Sequence, residues 1–212
     1  MTLANKLTLL RLALVPAFMM FMVFDNVWTR LAALVIFVAA SITDWYDGRI
    51  ARATGTVTVI GTFLDPLVDK MLIAAALVGF VEMGELHIRA WMVVLIISRE
   101  FLITGLRSLA SLRGVVLGAE GAGKFKMVSQ ITAIIAILVI LILNSVFEKW
   151  PQWAPAPVEG WPLILRQVME RAPFWLVFCT AIFTILSGVF YLRKYSGLLK
   201  QEFSELKIRT IA

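Results

Sequence analysis

Cysteine and histidine are nearly missing from this chain, with one of each in 212 residues, Cys179 and His87. A lone cysteine closes no intrachain disulfide, and Cys179 lies inside an apolar run where packing is its ordinary use. With no His or Cys cluster, the usual zinc ligand sets cannot be assembled. Charge is scarce as well. Charged residues make up 16% of the chain against 60% hydrophobic, and the mean hydropathy is +0.88. Soluble domains sit near half apolar and about a quarter charged. A chain of this size cannot hide so much apolar surface in one core, so the excess faces lipid. A soluble enzyme, a disulfide-stapled secreted module and a disordered tail are thereby excluded. The net charge of +6 does not point to nucleic acid, because a membrane protein uses Lys and Arg for orientation and headgroup contact.

What is present are long apolar runs. Residues 127–147 and 172–192 carry no charge and are long enough to cross about 30 Å of hydrocarbon as helix. Four further runs, 7–24, 31–52, 61–81 and 90–109, are apolar with charge toward one end. The expected fold is an all-α integral membrane protein of six transmembrane helices. The first run is not a cleaved signal peptide, since no small-residue cleavage site follows it. With the N-terminus inside, fifteen of the twenty Lys and Arg fall on the cytoplasmic side, and only Arg30, Arg89, Lys149, Arg166 and Arg171 fall outside. That asymmetry places both termini in the cytoplasm. No internal repeat, low-complexity tract or second domain is visible, so residues 1–212 read as one membrane domain. The outer loop 148–171 is rich in Trp and Pro (Trp150, Pro151, Trp153, Pro155, Pro157, Trp161, Pro162) and reads as interfacial. The tail after Arg193 reads as a short helix at the inner surface.

The informative stretch runs from Thr43 to Lys70. Asp44 and Asp47 fall near the inner end of the second helix, Asp65 and Asp69 near the inner start of the third. Spacings of three and four put each pair on one helix face. Counted from the helix ends at about 1.5 Å per residue, Asp44 and Asp69 both lie roughly 12 Å deep. Four carboxylates are thus expected to converge on one small volume. Such a cluster in a low dielectric requires cations. Carboxylate oxygens suit Mg²⁺ or Mn²⁺, and four are enough for a two-metal site at a phosphoryl centre. The plainer reading, helix-end ion pairs with Arg49, Arg52 and Lys70, accounts for one aspartate better than for four in matched pairs.

Asp44-x2-Asp47-Gly48-x2-Ala51-Arg52, eight residues, then Gly61-x3-Asp65-x3-Asp69 resembles the signature of the CDP-alcohol phosphotransferase family at every position. The six-helix pattern extends the resemblance over essentially the whole chain. The resemblance implies transfer of a phosphate-linked group from a CDP-activated donor to an alcohol, with release of CMP. It implies two divalent cations, Mg²⁺ or Mn²⁺, held by Asp44, Asp47, Asp65 and Asp69, and Asp69 as general base. Gly48 would allow close approach of the nucleotide, Arg52 would neutralise phosphate, and Thr58 would line the nucleotide site. Asn5-x2-Thr8-x2-Arg11 resembles the family's opening and would place Asn5 and Thr8 against the nucleotide. Homodimers are implied as well.

The acceptor must be read from other residues. Arg99 and Arg107 are eight apart on the fourth helix, and Gly123-Lys124-Phe125-Lys126 opens the fifth. Four cations, Arg99, Arg107, Lys124 and Lys126, on the inner halves of these helices would make a phosphate pocket. An acceptor that carries its own phosphate needs one. SREFLITGLR and GKFKMVSQ resemble family members whose acceptor is glycerol 3-phosphate and whose donor is CDP-diacylglycerol. Met127 departs from that pattern, since such members often have Thr there. The expected partners are therefore these two substrates and membrane lipid, at the cytoplasmic face of a bacterial inner membrane. Phosphatidylglycerol, inositol phosphate or serine are the competing acceptors. A divalent-cation transporter is the competitor of another class, disfavoured by carboxylates near one membrane face. Gly118-x4-Gly123-Lys124 imitates a phosphate-binding loop, but Phe125 stands where Ser or Thr is required. His87 falls on the outer side and reads as solvated.

Overall fold

A computed structural model describes the backbone of residues 3–54, 59–112, 121–150 and 161–211, and the side chains of 9–43, 68, 70–108, 110, 126–150 and 164–196. The described residues form six α-helices and one 3-10 turn, with no strand: α1 Leu3–Val23, α2 Val27–Thr54, α3 Val59–Glu82, the 3-10 turn Gly84–Leu86, α4 Ala90–Leu112, α5 Gly121–Lys149 and α6 Trp161–Ile211. Local chemistry sets several of the boundaries. Asn26 starts α2 by accepting the Trp28 backbone N–H on its side-chain oxygen at 3.2 Å, which satisfies one of the donors a helix start leaves over. Between α3 and α4, His87 closes the 3-10 turn in the left-handed region, at φ 52°, with its N–H donating to the Gly84 carbonyl. His87 is exposed there.

α1 packs on both α2 and α3. α5 packs on α2, α3 and α6, and α4 joins α3 to α6. Phe18, Phe37, Phe80, Met92, Ile96, Ile134, Ile137, Leu138 and Leu141 are buried at these contacts. Buried Ala33, Ala40 and Ala76 let backbones approach, which matters in lipid because close packing, not water exclusion, holds helices together. The outward faces are apolar too. Val35, Val94, Val128 and Phe190 are more than half exposed, as a lipid-facing surface requires. Within α5 and α6, Lys126–Lys149 and Ile164–Ser196 are long and apolar enough to cross a membrane, and shorter apolar stretches run Leu9–Val23 and Val27–Thr43.

Two expectations about the C-terminal third are corrected. The outer connection does not extend to residue 171, since α6 begins at Trp161. Pro162 falls in its first turn, where a missing N–H removes no helical bond. Nor is the tail a separate short helix: α6 continues without a break to Ile211. Its 51 residues would span about 75 Å, far more than the hydrocarbon needs. The sequence offers no proline after Pro173, so nothing stops the helix where the apolar stretch ends.

The ends of α1, α3 and α5 meet the start of α2 around Arg30, which is 3% exposed. Its Nη1 donates to the Leu141 carbonyl at 2.8 Å and to Ser145 Oγ at 2.7 Å. Its Nη2 pairs with Asp25 at 2.6 Å and Glu85 at 3.1 Å. One guanidinium thus joins the α1–α2 connection, the 3-10 turn and α5 to the start of α2, a use for which its planar fork of donors is suited. Arg30→Met would strip the buried Leu141 carbonyl and Ser145 of this donor, while the half-exposed acids stay hydrated. We expect a destabilisation of about 2–3 kcal/mol, read as a lower thermal midpoint in detergent with kcat per folded molecule unchanged.

Candidate active site at one end of the helices

The four aspartates occupy the helices expected of them. Asp44 and Asp47 lie in the second half of α2, Asp65 and Asp69 in the first half of α3, and each pair shares a helix face by its spacing. Gly48 and Arg52 follow on α2, Asn5 and Thr8 lie on α1, and Lys124 on α5. The side chains at these positions lie outside the described residues, and Thr58 lies outside them altogether. Among the described residues no group of three or more His, Cys, Asp or Glu could hold a metal.

The described neighbours of the aspartates include a buried cation. Arg11 of α1, 6% exposed, lines a small cavity with Ala40 and Ser41 of α2, Val68 and Leu72 of α3, and Met127 and Ile131 of α5. Ser41 is one turn before Asp44, and Val68 adjoins Asp69. Arg11 therefore sits between the two carboxylate-bearing helices. The sequence marked it only as the last position of a weak opening motif.

Beyond α3 lies a cluster of cations. Arg99 of α4 donates from Nη2 to Ser187 Oγ of α6 at 2.7 Å, and its Nη1 lies 3.5 Å from Glu100 Oε1. Lys126 of α5, 4% exposed, pairs with the same Glu100 oxygen. Lys70 of α3 approaches Glu100 Oε2 at 3.5 Å. Arg107 lies two turns beyond Arg99 with its guanidinium 5.3 Å over the Tyr191 ring of α6, a cation–π arrangement. Arg99 and Arg107 thus turn one face of α4 toward α6, as their spacing of eight suggested. The backbone of α6 comes close enough that a Cβ at Gly188 would sit 3.2 Å from Arg99 Cγ.

The polar bookkeeping of this cluster is incomplete. Arg99 Nε, Arg107 Nε and the Tyr191 hydroxyl are buried and make no hydrogen bond among the described residues. Buried donors are normally matched. Two guanidinium donors and a phenol left over at the contact of α4 with α6, where Arg99 shares Glu100 with the buried Lys126, suit an anion with several oxygens.

Sequence reasoning placed Arg99, Arg107 and Lys126 in this region and missed Glu100, Ser187 and Tyr191. Glu100 was visible beside Arg99 in the string Ser98-Arg99-Glu100. Ser187 and Tyr191 sit in a mostly apolar helix, where their spacing of four was the only signal.

Comparison with known proteins bears directly on this arrangement. Residues 1–161 match the family described as CDP-alcohol phosphatidyltransferase. A Bacillus subtilis protein named CDP-diacylglycerol–glycerol-3-phosphate 3-phosphatidyltransferase is 44% identical over 158 residues, covering 69% of this chain and 79% of its own length. Proteins of the same name from Pectobacterium atrosepticum and Escherichia coli are 33% identical over 179 residues and 32% over 192, covering 81% and 88% of this chain and 88% and 90% of their own lengths. The aspartate signature, the all-helical architecture and these similarities agree that the chain belongs to the CDP-alcohol phosphatidyltransferase family.

Proposed function

We propose that this protein transfers the phosphatidyl group of CDP-diacylglycerol to glycerol 3-phosphate, forming phosphatidylglycerophosphate and CMP. The observation that carries the choice of acceptor is the set of buried donors on Arg99, Arg107 and Tyr191, with Lys126 linked to Arg99 through Glu100. A neutral alcohol would leave them unmatched, whereas an acceptor with its own phosphate meets them. The relatives' names supply the donor and the same acceptor.

In this reading Asp44, Asp47, Asp65 and Asp69 hold two divalent cations, for which four carboxylates are a fitting hard-oxygen donor set. The chemistry two such ions supply when bound is polarisation of the donor diphosphate. Asn5, Thr8, Gly48, Arg52 and Thr58 surround the nucleotide, with Gly48 admitting it close to the backbone and Arg52 facing its phosphate charge. Arg99, Arg107, Lys124 and Lys126 hold the acceptor phosphate. Asp69 takes the proton of the acceptor hydroxyl. The freed oxygen attacks the phosphorus that bears diacylglycerol, the bond from that phosphorus to the bridging oxygen breaks, and CMP departs with the electron pair.

The whole chain is read as one membrane domain with six crossings, both termini cytoplasmic, in a bacterial inner membrane. The acyl chains then remain in lipid while nucleotide and glycerol 3-phosphate arrive from the cytoplasm. A homodimer is the expected assembly. The test is CMP release by the purified full chain in detergent, with CDP-diacylglycerol and Mg²⁺, and each candidate alcohol in turn. Release that requires glycerol 3-phosphate is expected. Release driven instead by phosphatidylglycerol, inositol phosphate or serine would keep the family chemistry and overturn the acceptor. A metal-loaded, folded protein that releases CMP with none of them would revive the transporter.

A further inference from the structure

Glu100 takes no part in the reaction as set out above, yet it occupies the middle of the cation cluster. Its side chain is 13% exposed, and cations from three helices surround it: Lys70 of α3, Arg99 of α4 and Lys126 of α5. An anion here weakens the field that would attract an acceptor phosphate. A pocket that only gathered phosphate would be better without it.

Its two oxygens divide their partners. Oε2 faces the α3 lysine at 3.5 Å, while Oε1 takes Lys126 and lies 3.5 Å from Arg99. Lys70 directly follows Asp69 in the chain. One carboxylate therefore connects the backbone segment carrying the base to the cations assigned to the acceptor. We propose that Glu100 is a positioning residue, which sets the spacing between Lys126 with its bound acceptor phosphate and the Asp69 segment of α3. The proposal rests on the reading of glycerol 3-phosphate as acceptor.

The chemistry permits both duties at once. A lysine ammonium has three donors, so Lys126 keeps Glu100 while offering others to a phosphate. Holding Lys126 and Arg99 in place before the acceptor arrives means that their rotamer freedom is lost on folding and not at each binding event. A misplacement of about 1 Å between hydroxyl and base is enough to slow such a reaction by roughly a hundredfold.

Steady-state kinetics of the full chain in detergent test this, with Glu100→Asp and Glu100→Gln and each substrate varied separately. Glu100→Asp keeps the charge, and so the pairing that supports folding, but is one methylene short of reaching both lysines. Glu100→Gln has the length without the charge. Both are expected to lose about tenfold or more in kcat per folded molecule, with KM for CDP-diacylglycerol within about twofold of the parent. Lys70→Met added to Glu100→Gln should cost little beyond either alone, because both remove one linkage. Full kcat in Glu100→Asp, or variants that lose only folded protein, would overturn the proposal while leaving the acceptor reading intact. A parent protein inert toward glycerol 3-phosphate would overturn both.

Discussion

An Asp69→Asn protein is expected to release CMP about a thousandfold more slowly than the parent at saturating CDP-diacylglycerol and glycerol 3-phosphate. Asparagine keeps the size of the side chain and one carbonyl oxygen, so local packing is preserved. It cannot accept a proton at neutral pH, and it is a poorer ligand for a hard cation than a carboxylate. Both losses fall on the chemical step, which locates the effect in kcat. Glu170→Gln is the matching control. Glu170 pairs with Arg166 at 3.3 Å on the exposed surface, the two side chains being 61% and 73% exposed, where such pairs contribute little. An Asp69→Asn protein with parental turnover would remove Asp69 from the mechanism and leave the acceptor without a base.

Arg99→Met should raise KM for glycerol 3-phosphate by about tenfold to a hundredfold, the range expected when one charge-assisted contact is lost, and leave KM for CDP-diacylglycerol near its parental value. Methionine retains most of the aliphatic stem that packs against α6, so the change isolates the guanidinium. Gly188→Ala supplies an independent route to the same residue. Its Cβ would lie 3.2 Å from Arg99 Cγ and 3.3 Å from Nε, closer than ordinary contact. Arg99 has little room to yield, being tied to Ser187 at 2.7 Å and close to Glu100. The alanine variant is therefore expected to move acceptor KM in the same direction by about threefold to tenfold. Initial rates with the acceptor varied at saturating donor separate these outcomes. Two variants with unchanged acceptor KM would take Arg99 out of the acceptor site.

The carboxylate signature was legible because its information is local. Asp44 with Asp47, and Asp65 with Asp69, are separated by one helical turn, and helix periodicity converts that spacing into a shared face without knowledge of any partner helix. The same arithmetic placed Arg99 and Arg107 together. The lengths of α5 and α6 were less legible. Charge and polarity end an apolar run, but they do not end a helix. α6 therefore runs past Arg193 to Ile211, and its N-terminal end reaches into the stretch read as loop.

By itself the sequence determined that the chain is helical and too apolar for a soluble fold, which two uncharged runs are long enough to cross a membrane, and where the aspartates stand along α2 and α3. Composition and short-range periodicity are sufficient for each of these. Only the tertiary structure decided which side chains meet across helices. Arg99 finds Ser187 across 88 positions of sequence, and Arg30 finds Ser145 across 115. No spacing rule connects such pairs, because the partner is chosen by which helix faces pack together. Glu100 shows the reason most plainly: in sequence it is one charge after Arg99, and only the packing of α3, α4 and α5 makes it the common partner of Lys70 and Lys126.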